Sequence, residues 1–121
     1  MAVATITLTP TESWDDGKRI HVIGTLAISA AADTYGVGGL AVPTPAVPGV
    51  VSSSKPYDFI ANGLAGYIFT YDFTNAKLMV RVLKNAAATN DPLSELTAIA
   101  IPAGLSGDTI RFHAICHKLV E

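Results

Sequence analysis

The stretch from Gly66 to Lys84, GYIFTYDFTNAKLMVRVLK, constrains the fold more than any other part of this chain. Tyr67, Phe69, Tyr71 and Phe73 fall on one face of an extended segment, and Ile68, Thr70 and Asp72 fall on the other. Thr74-Asn75-Ala76 then makes a loop before a second run, Lys77 to Leu83. Alternation at period two on both sides of a short polar loop predicts a β-hairpin. The aromatic row at strand spacing reads most simply as core.

The rest of the chain carries the same signature. Val3 to Thr9 alternates threonine with apolar residues, and Pro10 ends that strand or marks a sheet edge. Asp15-Asp16-Gly17 is a tight-turn signal, with glycine supplying the positive φ. Residues 18–29, KRIHVIGTLAIS, follow as a strand with Ile20, Val22, Gly24, Leu26 and Ile28 on one face and a partly wet face opposite. Further strands are expected at 57–61, 95–101 and 109–119, with Pro102 to Asp108 as a turn. From Ala30 to Pro56 no period survives, apart from a short strand around Gly39 to Val42. Segments of this length without structure of their own are functional or disordered in small domains, so 30–56 reads as an extended loop or arm. The expectation is one all-β domain over 1–121, a β-sandwich or small β-barrel with a long Gly/Pro-rich loop. Its expected core is Ile6, Leu8, Ile20, Val22, Leu26, Ile28, Phe69, Tyr71, Val80, Val82, Ile99, Ile110 and Phe112.

Composition narrows the functional classes. A chain of 121 residues supports one domain, and roughly 65% of its unfolded surface disappears on folding, enough for a core without disulfides or metal. Charged residues make up 15% of it, against about 25% in soluble domains, so part of the surface is expected to be covered by neighbouring subunits. A net charge of −2 offers no field for nucleic-acid phosphates or anionic lipid. Cys116 is the only cysteine, and no Lys or Arg precedes Lys18 in the pattern of a secretory leader, so synthesis in the cytoplasm is expected. The uncharged run from Thr34 to Ser54 is long enough to cross a bilayer, but its glycines and prolines break the helix that crossing requires.

None of the candidate chemical motifs meets its own geometric requirement. On a strand, His113 and His117 stand about 13 Å apart, with Cys116 on the other face, so the HAICH segment would serve zinc only if it were helical, and it reads instead as half-buried strand. Gly36 to Ala41 spells a dinucleotide fingerprint, yet Pro43 and Pro45 forbid the helix that would hold the pyrophosphate. Gly104 to Asp108 lacks the second glycine of a nucleophile elbow and sits in a turn between strands. The acids are scattered, with no pair placed for glycoside hydrolysis. Trp14, Tyr35 and Tyr57 could serve a carbohydrate-binding face. No enzyme activity and no cofactor are expected.

The order of elements, IHVIGTLAIS, a variable loop, KPYDFIANGLAGYIFTYDFTNAKLMV and then SELTAIAIPAGLSGDTIRFHAI, resembles small head decoration, or cement, proteins of tailed bacteriophages. The resemblance covers residues 18–29 and 55–119; the loop from Ala30 to Ser54 is longer than expected for that group, and Ala76 stands where its hairpin often has glycine. It implies a structural virion protein, made in the host cytoplasm, that binds the major capsid protein on the capsid surface and stabilises the shell by bridging subunits. Self-association as a trimer is expected, with a dimer at two-fold positions as the rival. A carbohydrate- or receptor-binding module of a virion is the alternative. Under the first reading the arm supplies the contacts, through Tyr35, Leu40, Val42, Val47, Val50 and Val51. The competing expectation is that the arm folds back as a lid over its own sheet.

Overall fold

The computed structural model describes residues 3–29, 33–50, 55–82, 94–96 and 100–118. Among these residues eight strands follow one another: β1 (Ile6–Asp15), β2 (Arg19–Ile28), β3 (Leu40–Ala41), β4 (Asp58–Asn62), β5 (Ile68–Asp72), β6 (Lys77–Val82), β7 (Ser94–Glu95) and β8 (Ile110–His117). One helical turn, α1 (Ala103–Ser106), precedes β8. The strands form a single antiparallel sheet in the order β1-β2-β8-β4-β5-β6-β3, with β7 also pairing β6. The sheet curls into a half-barrel, so the expected all-β class holds as one curled sheet rather than two packed ones.

The β1–β2 hairpin turns where the aspartates and glycine stand. Gly17 has φ 99°, its N–H donates to Asp15 Oδ1 at 2.7 Å, and Asp16 Oδ1 accepts from the N–H groups of Lys18 and Arg19. Of the two expectations for Pro10, the sheet edge holds and the strand end does not, for β1 continues to Asp15. Pro10 is tolerated because β1 is an edge strand and the ladder shifts between Pro10 and Glu12. At that irregularity the Thr11 hydroxyl donates to the Ile23 carbonyl at 3.2 Å. Gly24 lies beneath the shift, where a Cβ would collide with the Thr9 carbonyl oxygen.

The β5–β6 hairpin forms as its alternation requires, joined by a turn over Phe73 to Ala76. Its aromatic row divides: Tyr67, Phe69 and Tyr71 pack against the core, while Phe73, already in the turn, is exposed with the Lys55 ammonium 4.2 Å from its ring centroid. Of the expected strand 95–101, Glu95 lies in β7 and Ala100 in an isolated bridge, with 97–99 outside the described residues, and the 102–108 turn contains α1, which buries Leu105. Residues 83–84, Ile99 and Val51 lie outside the described residues.

The arm is the larger correction. From Asp33 to Val50 the chain lies across the open side of the half-barrel and burial takes Tyr35, Leu40, Val42 and Val50 into the core, with Val47 packed partly buried against it. Its backbone is tied at both sides: Thr34 O accepts from the Ala4 N–H at 2.7 Å, Asp33 O from Ile101 at 2.8 Å, and the Val42 N–H donates to Ala76 O at 2.9 Å. A half-barrel leaves its inner face uncovered on one side, and aliphatic side chains of the arm cover it more cheaply than water does. These residues therefore belong to the lid, not to a free arm.

Tyr35 also repairs a gap in the sheet. On the far edge of β6, β3 pairs Leu78 and Lys77 while β7 pairs Arg81 and Val82, leaving the Val80 N–H between them. That N–H donates to the Tyr35 hydroxyl oxygen at 3.2 Å, and the hydroxyl donates to Glu95 Oε2 at 2.6 Å. Burial, then the Glu95 carboxylate, pushes the Tyr35 phenol well above its ordinary range.

Candidate functional site

Curling the sheet over its core leaves an outer face on β1, β2, β8 and β4 whose side chains follow from the register. Trp14 stands opposite His21 and His21 opposite Ile115; the next row holds Ile23, His113 and Ile60; the row beyond holds Thr25, Arg111 and Asn62. Arg19 and His117 are paired at the other end, where the Tyr57 ring stacks on His117 with centroids 3.9 Å apart and under the Arg19 guanidinium at 4.1 Å. Ile60, Leu64 and Trp14 are 48%, 84% and 43% exposed, so apolar surface is presented outward here rather than hidden.

One cluster on this face is tightly ordered. The Trp14 and His21 rings stack at 5.1 Å with an interplanar angle of 3°, and His113 tilts against both. His21 Nε2 lies 2.8 Å from Asp16 Oδ2, and His21 Nδ1 lies 3.0 Å from His113 Nε2. A carboxylate only accepts, so Nε2 carries the proton toward Asp16, and in the neutral ring Nδ1 then accepts from His113. The N–H groups of Lys18 and Arg19, and then the His21 ring, hold the Asp16 carboxyl far below the usual carboxylate range. Next to it the Lys118 ammonium, 2.6 Å from Asp15, and the Gly17 N–H lower Asp15 in the same sense. The arrangement orients two imidazoles, but no hydroxyl or thiol is hydrogen-bonded to either among the described residues. Cys116 in particular faces the core, where burial pushes its thiol up to about 11.

Below the cluster runs an open groove of about 420 Å³ between β2, β8, β4 and the turn after β4. Ile23, Ile60 and Leu64 give it apolar walls, and Asn62, Arg111 and His113 its polar groups. Asp108 fixes the turn: its Oδ1 accepts the N–H groups of Leu64 and Ala65 at 2.9 and 3.2 Å, which sets Leu64 at the lip.

Of the residues expected to make contacts, the structure brings Tyr35, Leu40, Val42 and Val50 together, but inside the domain. Of the aromatic trio considered for a sugar face, Trp14 and Tyr57 are exposed and Tyr35 is buried. The partners of His21 were not foreseen, although counting back from the Asp15-Asp16-Gly17 turn pairs Trp14 with His21. His113, 92 residues away, carried no such signal. Among the described residues no group of three potential ligands is placed to hold a metal ion, and no helix is long and apolar enough to cross a membrane. No protein family, curated protein or solved structure matches the chain.

Proposed function

We propose that this chain is a structural virion protein that binds the outer surface of a tailed-phage capsid and stabilises the shell by bridging subunits of the major capsid protein. The observation that supports this reading is the outer sheet face, a rigid surface of exposed aliphatic and aromatic side chains interleaved with histidines, backed by a lidded core. The docking surface is thus moved from the arm to the sheet. A protein that binds the assembled shell and not its separated subunits stabilises assembly by linkage, and many copies, as trimers or dimers of this chain, multiply a weak single contact.

The test is co-sedimentation with heads of a virus encoding this chain, assembled without it. Wild type should pellet with the heads and raise the temperature at which they release DNA. Ile60→Asp and Leu64→Asp should stay folded by circular dichroism yet remain in the supernatant. Binding unaffected by both would overturn the choice of face, and wild-type chain left in the supernatant would overturn the function. The exposed rings of Trp14 and Tyr57 favour a second reading, a carbohydrate- or receptor-binding module. In that case Trp14→Ala should abolish retention on a glycan array while leaving head binding absent in wild type too.

A further inference from the structure

The groove below the imidazole cluster combines features that specify a ligand more closely than a docking face does. Arg111 is exposed at its floor, and among the described residues its guanidinium has neither an ion pair nor a side-chain hydrogen bond. Among the described residues no acidic side chain lines the groove. Of the nearby Asp108 carboxylate, Oδ1 accepts from the Leu64 and Ala65 N–H groups and Oδ2 is buried, and Asp58 Oδ1 accepts from Phe59. An unpaired guanidinium offers a planar pair of donors that matches a carboxylate. A phosphate site would ask for more than one cation, and the chain's net charge of −2 supplies no wider positive field. Thr25 and Asn62 stand on either side of Arg111, the Asn62 amide able to bond an extended backbone, and the aliphatic wall lies one row away, where Ile23 and Ile60 flank His113, with Leu64 at the lip.

We infer that this groove binds an extended peptide segment of a protein partner, in which an acidic residue flanked by large aliphatic residues places its carboxylate on Arg111 and its neighbours on Ile23, Ile60 and Leu64. This deepens the docking role proposed above and rests on it only for the partner's identity. The Arg111 row and the Ile23–His113–Ile60 row are adjacent on the sheet, so one charged anchor and its apolar neighbours can be engaged together.

The experiment titrates the full chain with the synthetic peptide Gly-Leu-Asp-Leu-Gly, blocked at both ends, following the Arg111 side-chain N–H and the Ile60 and Leu64 methyl resonances by NMR. The expected result is saturable shifts of all three, about tenfold weaker with the Asn peptide, a discrimination that Arg111→Gln abolishes without altering the fold. Equal shifts from the Asp, Asn and Lys peptides, equal shifts from acetate alone, or an Arg111→Gln protein that still discriminates would each overturn the inference. Head binding is scored separately. Arg111-dependent peptide binding without head binding removes the capsid reading alone, and head binding without peptide discrimination removes the groove alone.

Discussion

Replacing Tyr35 by Phe deletes one oxygen atom and tests whether the arm is a lid. That oxygen is donor to the Glu95 carboxylate at 2.6 Å and acceptor for the Val80 N–H at 3.2 Å, in a side chain 1% exposed. A hydrogen bond to a charged group is worth about 1.5–3 kcal/mol, and a buried N–H left unsatisfied costs about 1–3 kcal/mol. Glu95 keeps a second donor, the Gly38 N–H at 2.7 Å, so part of its loss is recovered. The net expectation is a destabilisation of about 2–4 kcal/mol, or roughly 10 °C in Tm for a domain of this size. Urea unfolding followed by the fluorescence of the single tryptophan, Trp14, measures it from a reporter on the opposite edge of the sheet. A change below about 0.5 kcal/mol, the scale of an ordinary surface substitution, would refute the lid and return Tyr35 to a free arm.

Three further perturbations test other parts of the fold. Gly24→Ala drives a Cβ into the Thr9 carbonyl oxygen, a backbone group that cannot swing aside, and should cost about 3 kcal/mol with amide-exchange protection lost first in β1. Ala76, with φ 53°, is the only non-glycine in the left-handed region among the described residues; Ala76→Gly should stabilise by about 0.5–1 kcal/mol by urea midpoint, and a destabilisation would contradict the strain assigned to this turn. The Cys116 thiol has its pKa raised from about 8.5 unfolded to about 11 by burial, so between those values the native state holds the extra proton and stability falls as pH rises. The slope approaches about 1.4 kcal/mol per pH unit, and Cys116→Ala should flatten it relative to wild type; parallel curves would exclude the thiol as the cause.

The parts of this fold legible in the sequence are those in which residues close in the chain decide the structure. Asp15-Asp16-Gly17 and the Phe73 to Ala76 loop each join strands that pair with each other, so alternation and turn chemistry together give element, face and register. The pairing of β2 with β8 is not local, and with it the meeting of His21 with His113 was hidden. The arm misled for another reason. Tyr35, Leu40, Val42 and Val50 are apolar side chains in a segment without a period, and apolarity alone does not say whether they cover a neighbour's surface or their own. That depends on how far the sheet closes, a property of strand number and curl spread over the whole chain. The β1 strand shows a smaller version of the same limit, since Pro10 breaks a ladder only where its missing N–H faces a partner, and here it faces the outside of the sheet.

That outward-facing proline also bears on how copies or partners associate. An edge strand of ten residues is a template for pairing with another chain, and β1 is such an edge. Its middle, however, carries Pro10 without a donor, a ladder irregularity between Pro10 and Glu12, and the Glu12 carboxylate. Antiparallel addition of an identical edge would stack these same features at its centre. Association through the β1 edge is therefore opposed three times over, by a missing donor, an irregular ladder and a charged side chain. The outer face carries no such guard: its aliphatic residues, its imidazoles and the unpaired Arg111 are held in fixed register by four strands. Substituting Pro10 by Thr should then leave head binding unchanged while making the free chain aggregate more readily at high concentration, as light scattering would record. If that change instead strengthened head binding, the edge and not the face would be the docking element.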